Sequence, residues 1–355
     1  MAVRLAFCGL DEVDALVGFL RDHWGREHVL VTDRRVLDWQ HRDEGRGRYD
    51  VLLAWDGDEV VGILGFIPTS RYDPALADGR ETVWLTTWRA RDDAPTGTGL
   101  LLLRGLRERL RPVWTGTVGL RPATAGIYTR LGFRGGVLRR HVLLDHAPRD
   151  LRLARVPDPT RARLRADHPA PCPPAPVAAS DVAAVAEAVL PPEHAPARSG
   201  AYYAGRYVDH PFHDYRFHHV PDDGSPGALL VTREVGHAGA TAVRVVDLVG
   251  RVPIGLGGAL EALRAGTDAE WIDVHAPDDR LAAAGLPAVA DLDGAVVAAR
   301  FAPFELRGAE PRWALDGPPD GPTGALTLSR GDADQDRPGP AATAADDADP
   351  AGAAR

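Results

Sequence analysis

The chain has 355 residues, of which 45% are hydrophobic and 26% charged, with a formal net charge of −9. This is room for two domains with sizeable cores, and it reads as a soluble globular chain. The acidic balance argues against a nucleic-acid partner, which needs a basic stripe to meet phosphates.

Lysine is absent, so every fixed positive side chain is an arginine. The two cysteines, Cys8 and Cys172, fit neither a disulfide framework nor a metal-ligand spacing, so no metal centre is expected. The first apolar run is interrupted by Asp11, Glu12 and Asp14. It is neither a signal-peptide core nor a membrane span, and a cytoplasmic protein without a membrane partner is the default.

In chain order, Leu10, Val13, Leu16, Val17 and Leu20 recur at helical spacing, with acids near the start. A mixed helix-and-loop stretch rich in His, Trp and Arg follows, HWGREHVLVTDRRVLDWQHRD. Two strands meet at Asp56-Gly57, a hairpin signal, and ETVWLTTWRAR is a third strand. The loop DDAPTGTG then runs into a helix with Leu103, Leu106 and Leu110 on one stripe. VWTGTVGL reads as a strand, PATAGIYTRLGF as a short helix ending at Gly132, and VLRRHVLL as the strand closing a unit over 1–145.

Residues 146–176 lose periodicity and read as a linker. A second unit over 177–338 opens with the helix SDVAAVAEAVL, with Ser180 as its candidate N-cap. Strands YRFHHV, GALLVTREV and ATAVRVVDLVG come next, then the loop and helix IGLGGALEALRAG, the strand EWIDVHA and a short helix DDRLAAAGLPAV. Residues 339–355 read as a disordered tail.

The second half echoes the first. Gly97-Thr98-Gly99 compares with Gly255-Leu256-Gly257, and the tryptophan of the next strand follows the first glycine by 17 residues at Trp114 and by 16 at Trp271. YTRLGF likewise compares with LAAAGL. The same element order in both halves predicts a degenerate tandem duplication.

The strand ETVWLTTWRAR, the glycine loop and helix after it, and IYTRLGF together resemble the GCN5-related N-acetyltransferase superfamily over about Val3 to Leu144. The implied fold is an α/β mixed sheet, here as tandem acyltransferase-like units with the second copy degenerate. The loop departs from the superfamily's pattern: Arg89 and Arg91 come early, and Asp92 and Asp93 intervene. The whole chain also resembles two-domain acyltransferase-like proteins of bacterial surface-polysaccharide or unusual-sugar pathways. HWGREHVLVTDRRVLDWQH, GILGFIPT, YVDHPFHDYRF, ALLVTREV and RGDADQDRP carry that likeness.

The resemblance implies acetyl-CoA or another acyl-CoA as co-substrate. Free N–H groups of a glycine turn at a helix start suit its pyrophosphate, which makes Thr96, Gly97, Thr98, Gly99, Leu100 and Leu101 the candidate cradle. Arg89 and Arg91 are the candidate charge partners. Glycine spacing alone fits a bare strand–helix turn equally well.

By resemblance, Tyr128 is the general acid that protonates the departing thiolate, with a packing tyrosine as the alternative; Leu281 stands at its place in the second half and cannot give a proton. The segment after the first helix is expected to line the acceptor pocket, with His23, Trp24, His28, Asp38 and Trp39 as candidates. His41 is the leading base candidate, since an unperturbed pKa of about 6.5 suits proton transfer near neutrality. A helix-packing or solvent-facing histidine is the more ordinary reading, and Glu81 on the third strand competes for the role.

From the second half, His210, Glu234 and Asp247 are candidate substrate contacts. Asp332, Asp334 and Asp336 lie close enough to suggest a metal loop but lack the calcium-loop pattern, and a surface turn is preferred. The expected function is therefore N-acyl transfer to a small-molecule amine, by a monomer or homodimer. The alternatives are a binding module without turnover and an aminoacyl-tRNA-dependent transferase of the same fold.

Overall fold

The computed structural model describes residues 3–147, 149–167, 169–301, 304–306, 310–318 and 326–339. The tail expected from 339 onward lies outside the described residues, Gly339 excepted.

Strands that alternate or run apolar pair into two main sheets. The first half supplies β1 (Arg4–Gly9), β2 (Arg42–Asp43), β3 (Arg48–Asp56), β4 (Glu59–Pro68), β5 (Thr82–Ala90), β6 (Trp114–Leu120), β7 (Arg134–Val137) and β8 (Arg139–Leu144). Its helices are α1 (Val13–His23), α2 (Val29–Thr32), α3 (Arg34–His41), α4 (Thr98–Leu110) and α5 (Pro122–Arg130). The second half supplies β10 (Ala175–Val177), β11 (Arg216–Asp222), β12 (Ser225–His237), β13 (Ala240–Gly250), β14 (Trp271–Ala276) and β18 (Arg312–Asp316), with α7 (Val182–Val189), α8 (Gly200–Tyr207), α9 (Leu256–Gly266) and α10 (Arg280–Ala283).

The stretch read as a linker carries β9 (Ala154–Arg155) and α6 (Asp158–Ala166); β9 pairs with β15 (Val296–Val297), while β16 (Arg300–Phe301) pairs with β17 (Phe304–Glu305). It is thus tied to the second half. Ser180 is not the cap of α7: that position falls to Asp181, and no side chain caps the helix.

The first sheet runs β1-β3-β4-β5-β6-β18-β7, and the second β10-β11-β12-β13-β14-β8. The strand read as closing the first unit is split. β7 stays in the first sheet, but β8 pairs antiparallel with β14 of the second, Trp271 opposite Leu144. In return β18 lies between β6 and β7 of the first sheet. Each sheet is completed by a strand from the other half, so the halves are interlocked.

The β3–β4 hairpin turns on Gly57, whose φ of 60° is open to glycine at little cost. One face of the first sheet packs Leu52, Leu64, Phe66 and Leu85 against Leu102, Leu103 and Leu106 of α4, together with Tyr128 and Phe133. The opposite face packs Val51, Leu53 and Ile63 against α1 and α3 through Leu16, Leu20 and Leu37. Among the described residues no helix is long and apolar enough to cross a membrane.

Candidate functional site

β5 and β6 run parallel, and their pairing covers only Thr82–Trp84 against Trp114–Gly116. Both strands continue, to Ala90 and Leu120, so beyond Trp84 they part and leave a wedge. Trp114 donates its N–H to Glu81 and so faces β5. By strand alternation Val118, four residues on, turns its carbonyl into the wedge.

Tyr128 is held at this opening by the end of α5. Gly132, at φ 88°, donates to Thr129 O, and Phe133 N–H donates back to Tyr128 O at 3.0 Å, the bonding of a Schellman ending. The accompanying apolar contact is Tyr128 on Phe133, ring centroids 5.1 Å apart. Trp88 meets the other side of the tyrosine ring at 5.5 Å. The Tyr128 phenol hydrogen-bonds with Thr117, one residue past the last β5–β6 pair; burial pushes its pKa up and Thr117 offsets part of that. The phenol is therefore neutral throughout the physiological range and carries a proton. The hydroxyls of Thr86 and Thr87, also buried, have no partner.

Above the wedge, α4 starts at the glycine turn. Gly97 has φ 88° and nothing within 4 Å of where a side chain would begin, while Thr98 is buried. Thr98 N–H bonds to Pro95 O and Leu101 N–H to Gly97 O, which leaves the Gly99 and Leu100 N–H groups as the unpaired donors of the first turn. Leu100 and Leu101 are about half exposed, so this end of the helix is open. Trp88 Nε1 donates to Gly99 O at 3.2 Å and ties the turn to β5.

Arg91 pairs with Asp93 (2.6 Å) and Glu59 (2.8 Å), and Arg89 with Asp92 (3.3 Å). The two acids of the loop thus hold its two arginines. Exposed pairs of this kind are worth about 0–1 kcal/mol, so an incoming phosphate can take either arginine over.

The base candidates fare differently. His41 is buried, its Nδ1 at 3.2 Å from Phe66 O and its Nε2 at 3.0 Å from the Gln40 amide. A carbonyl only accepts, so Nδ1 carries the proton and Nε2 accepts from Gln40. Burial and then Arg71 hold its pKa down to about 3. With both nitrogens engaged, His41 is a packing residue rather than a base.

Glu81 accepts from Thr69 Oγ1 (2.8 Å) and Ser70 N (2.9 Å). It precedes β5 at the paired end of the strands, away from the wedge.

Of the acceptor candidates, Trp39 and His210 come together across the halves, with ring centroids 4.2 Å apart. His210 Nδ1 accepts from the N–H groups of Phe212 and His213, and burial followed by His213 lowers its pKa to about 3. His28 is likewise lowered, to about 4, by burial and then Arg337.

Asp38 is absorbed by Arg34 (2.7 Å) and the Tyr49 hydroxyl (2.5 Å). His23 and Trp24 lie at the exposed end of α1. Glu234 is paired with Arg216 at 3.0 Å on the surface of the second sheet, and Asp247 is buried under the Tyr207 hydroxyl. These last two do not join the site.

For the segment 329–337, which the sequence already placed within 177–338, what sequence reasoning missed is its position. It crosses between the halves as a strap. Gln335 Nε2 donates 2.9 Å to Val118 O, the carbonyl that faces the wedge, and Gly331 N–H donates 2.8 Å to Val246 O of β13. Its three aspartates are all taken by arginines: Asp332 by Arg198 (2.5 Å), Asp334 by Arg337 (2.5 Å) and Asp336 by Arg233 (2.7 Å). That corrects the surface-turn reading, since Asp332 and Asp336 are buried. Between the strap, Trp39, Gln40 and His210 there remains a cavity of about 10 Å3, room for about one water.

No family model matches the chain, and no curated protein does. Solved structures do match. A GCN5-related N-acetyltransferase from Anabaena variabilis ATCC 29413 superposes with a TM-score of 0.53 at 12% identity, over 88% of this chain and 72% of that one. A GCN5-related N-acetyltransferase from Kribbella flavida gives 0.50 at 17% identity, over 88% and 70%. At such identities the likeness is one of fold, and the fold of this chain is that of the GCN5-related N-acetyltransferases.

Proposed function

We propose that the chain is an acyl-CoA-dependent N-acyltransferase acting on the amine of a small molecule. The observation that carries this is the wedge: two parallel strands part where a neutral, buried Tyr128 phenol sits, below an open glycine turn with unpaired N–H groups. The turn would hold the pyrophosphate, with Arg89 and Arg91 exchanging their loop acids for it. The pantetheine arm would enter the wedge. A neutral amine attacks the thioester carbonyl, the C–N bond forms and the C–S bond breaks. Tyr128 gives its proton to the thiolate, the amine's surplus proton passes to water, and water returns a proton to the phenolate before the next turnover.

The second half is read as a degenerate copy. β13 and β14 are also parallel and pair only at Val243–Ile272 and Arg244–Asp273. α10 ends as α5 does, with Gly285 at φ 80° and Leu286 N–H bonding to Leu281 O at 3.0 Å. Leu281 thus stands where Tyr128 stands. The units are taken as 1–145 and 177–338, joined by 146–176, with their closing strands exchanged.

Gln335 in the first wedge favours a short acyl group such as acetyl. The acceptor would approach from the strap side, past Trp39 and His210; the wider sequence resemblance points to an amino sugar or a nucleotide-linked amino sugar. A cytoplasmic monomer or homodimer remains the expectation.

Tyr128→Phe tests the reading. Acetyl transfer from acetyl-CoA to a panel of amino sugars should fall by about 10²-fold or more in kcat, with acetyl-CoA affinity nearly unchanged. Unchanged turnover would remove Tyr128 from the chemistry. The plug that Gln335 forms also favours a second reading, binding without turnover; saturable acetyl-CoA binding with no thiol release across the panel would establish it.

A further inference from the structure

At the paired end of β5, opposite the glycine turn, a cavity of about 340 Å3 opens between the start of β5, the last turn of α4 and the turn before β3. Small-molecule sites begin at about 300 Å3. Its floor is apolar, built from Phe7, Phe66 and Val83. Against that floor lies the guanidinium of Arg48, 3.7 Å from the centroid of Phe7 and 5.9 Å from that of Phe66. Arg46, Arg109 and Arg111 stand exposed at the rim.

The charge balance of this cavity differs from that of the molecule. The chain carries a formal −9, yet four guanidinium groups converge here and Glu81 is the one carboxylate in the lining. Glu81 is already committed to Thr69 and Ser70. Arg46 is held by Asp43 at 2.7 Å, and Arg48 reaches Asp50 only at 3.4 Å, with its Nε buried and without a partner. Arg109 bonds to the carbonyls of Gly105 and Leu5. Among the described residues neither Arg109 nor Arg111 has an ion pair with a carboxylate. The carbonyl end of α4 opposes an anion with about half a charge, against two full charges left unneutralised.

We propose that this cavity is a binding site for an organic anion with a flat ring, its carboxylate or phosphate gripped by the rim arginines and its ring laid on Phe7, Phe66 and the Arg48 guanidinium. Planar guanidinium forks suit both anions, and they stack on rings. The site is separate from the acyl-transfer wedge: α4 gives its last turn here and its first turn there, and β5 is paired here and parted there.

Calorimetric titration of the full chain tests it, with phenyl phosphate and benzoate as probes and inorganic phosphate and benzyl alcohol as their halves. One of the ring anions should bind saturably, at least about tenfold more tightly than either half. The arm that binds distinguishes phosphate from carboxylate. R109Q/R111Q, which alters only exposed side chains, should weaken that binding about tenfold or more. Ala77→Trp, on the exposed rim, should block it. Absence of saturable binding, or binding that both variants leave unchanged, would overturn the proposal.

Discussion

The two glycine turns show how one arrangement of strands and helices can be kept open or filled. At the first, a side chain at Gly97 would meet nothing within 4 Å, and Leu100 and Leu101 are about half exposed. At the second, the connection between the halves lies across the start of α9. A side chain at Gly255 would also meet nothing within 4 Å, but three residues on Cys172 N–H bonds to Gly258 O at 2.9 Å, and a side chain at Gly258 would meet Ala170 O at 2.7 Å.

The wedges below them differ in the same sense. At the first, Trp88 packs on Tyr128, whose phenol hydrogen-bonds with Thr117. The second is filled with charge. Arg140 donates 2.7 Å to Asp273 with both side chains buried, and Arg198 and Arg233 grip the strap. A wedge packed with ion pairs is a structural core. The first holds a neutral phenol at the point where its strands part.

The largest effect expected from this difference is on stability. Arg140→Met leaves Asp273 buried without its hydrogen-bonded arginine, the next ion-pair partner being Arg244 at 3.9 Å. This should cost about 3–5 kcal/mol in urea denaturation. The triple variant R140M/R244M/D273L should recover part of the loss, because it removes Asp273 together with the two arginines that ion-pair with it. If the single variant costs under about 1 kcal/mol, the second wedge is not held by its ions.

Mild acid probes the α3 face of the first sheet. His41, with a folded pKa of about 3 against about 6.5 unfolded, takes up its proton only on unfolding. Stability is therefore lost as pH falls from about 6.5 toward 3, and by about 2 kcal/mol at pH 5 from this residue. His41→Gln should show a shallower acid limb by that amount. Equal slopes in the two proteins would mean that His41 is not held neutral.

The smallest effect compares the turns themselves. Gly97→Ala places a side chain at φ 88° and should cost about 1 kcal/mol in thermal unfolding. Gly255→Ala, at φ −77°, should be neutral or slightly stabilising. Acetyl-CoA binding should weaken only in the first. Matching losses in both would erase the distinction between an open cradle and a covered one.

Much of the first half was legible. The β4 and β5 runs, the glycine loop and the Leu103–Leu106–Leu110 stripe declare themselves by period, and Gly132-Phe133 marks the helix ending that fixes Tyr128. The site was legible only in part. His41 has the residue type of a base, but hydrogen bonds to Gln40 and Phe66 O, which no local pattern encodes, remove its lone pair. Within the stretch read as a linker, β9 and α6 went unread because they are short and draw their support from partners far along the chain, such as β15.

The sequence by itself determined the local pieces: which runs form strands, where glycine permits a turn, and which short helices end at a glycine, after Tyr128 in one and after Leu281 in the other. Local sterics and side-chain period settle these, and both are written in neighbouring residues. Tertiary structure alone decided that β8 and β18 change places, that the strap puts Gln335 into one wedge and Asp332 under Arg198 in the other, and that four arginines surround one cavity. Such contacts join residues far apart in the chain. Their free energy comes from burial and charge pairing across the interlocked halves, which no stretch of sequence carries alone.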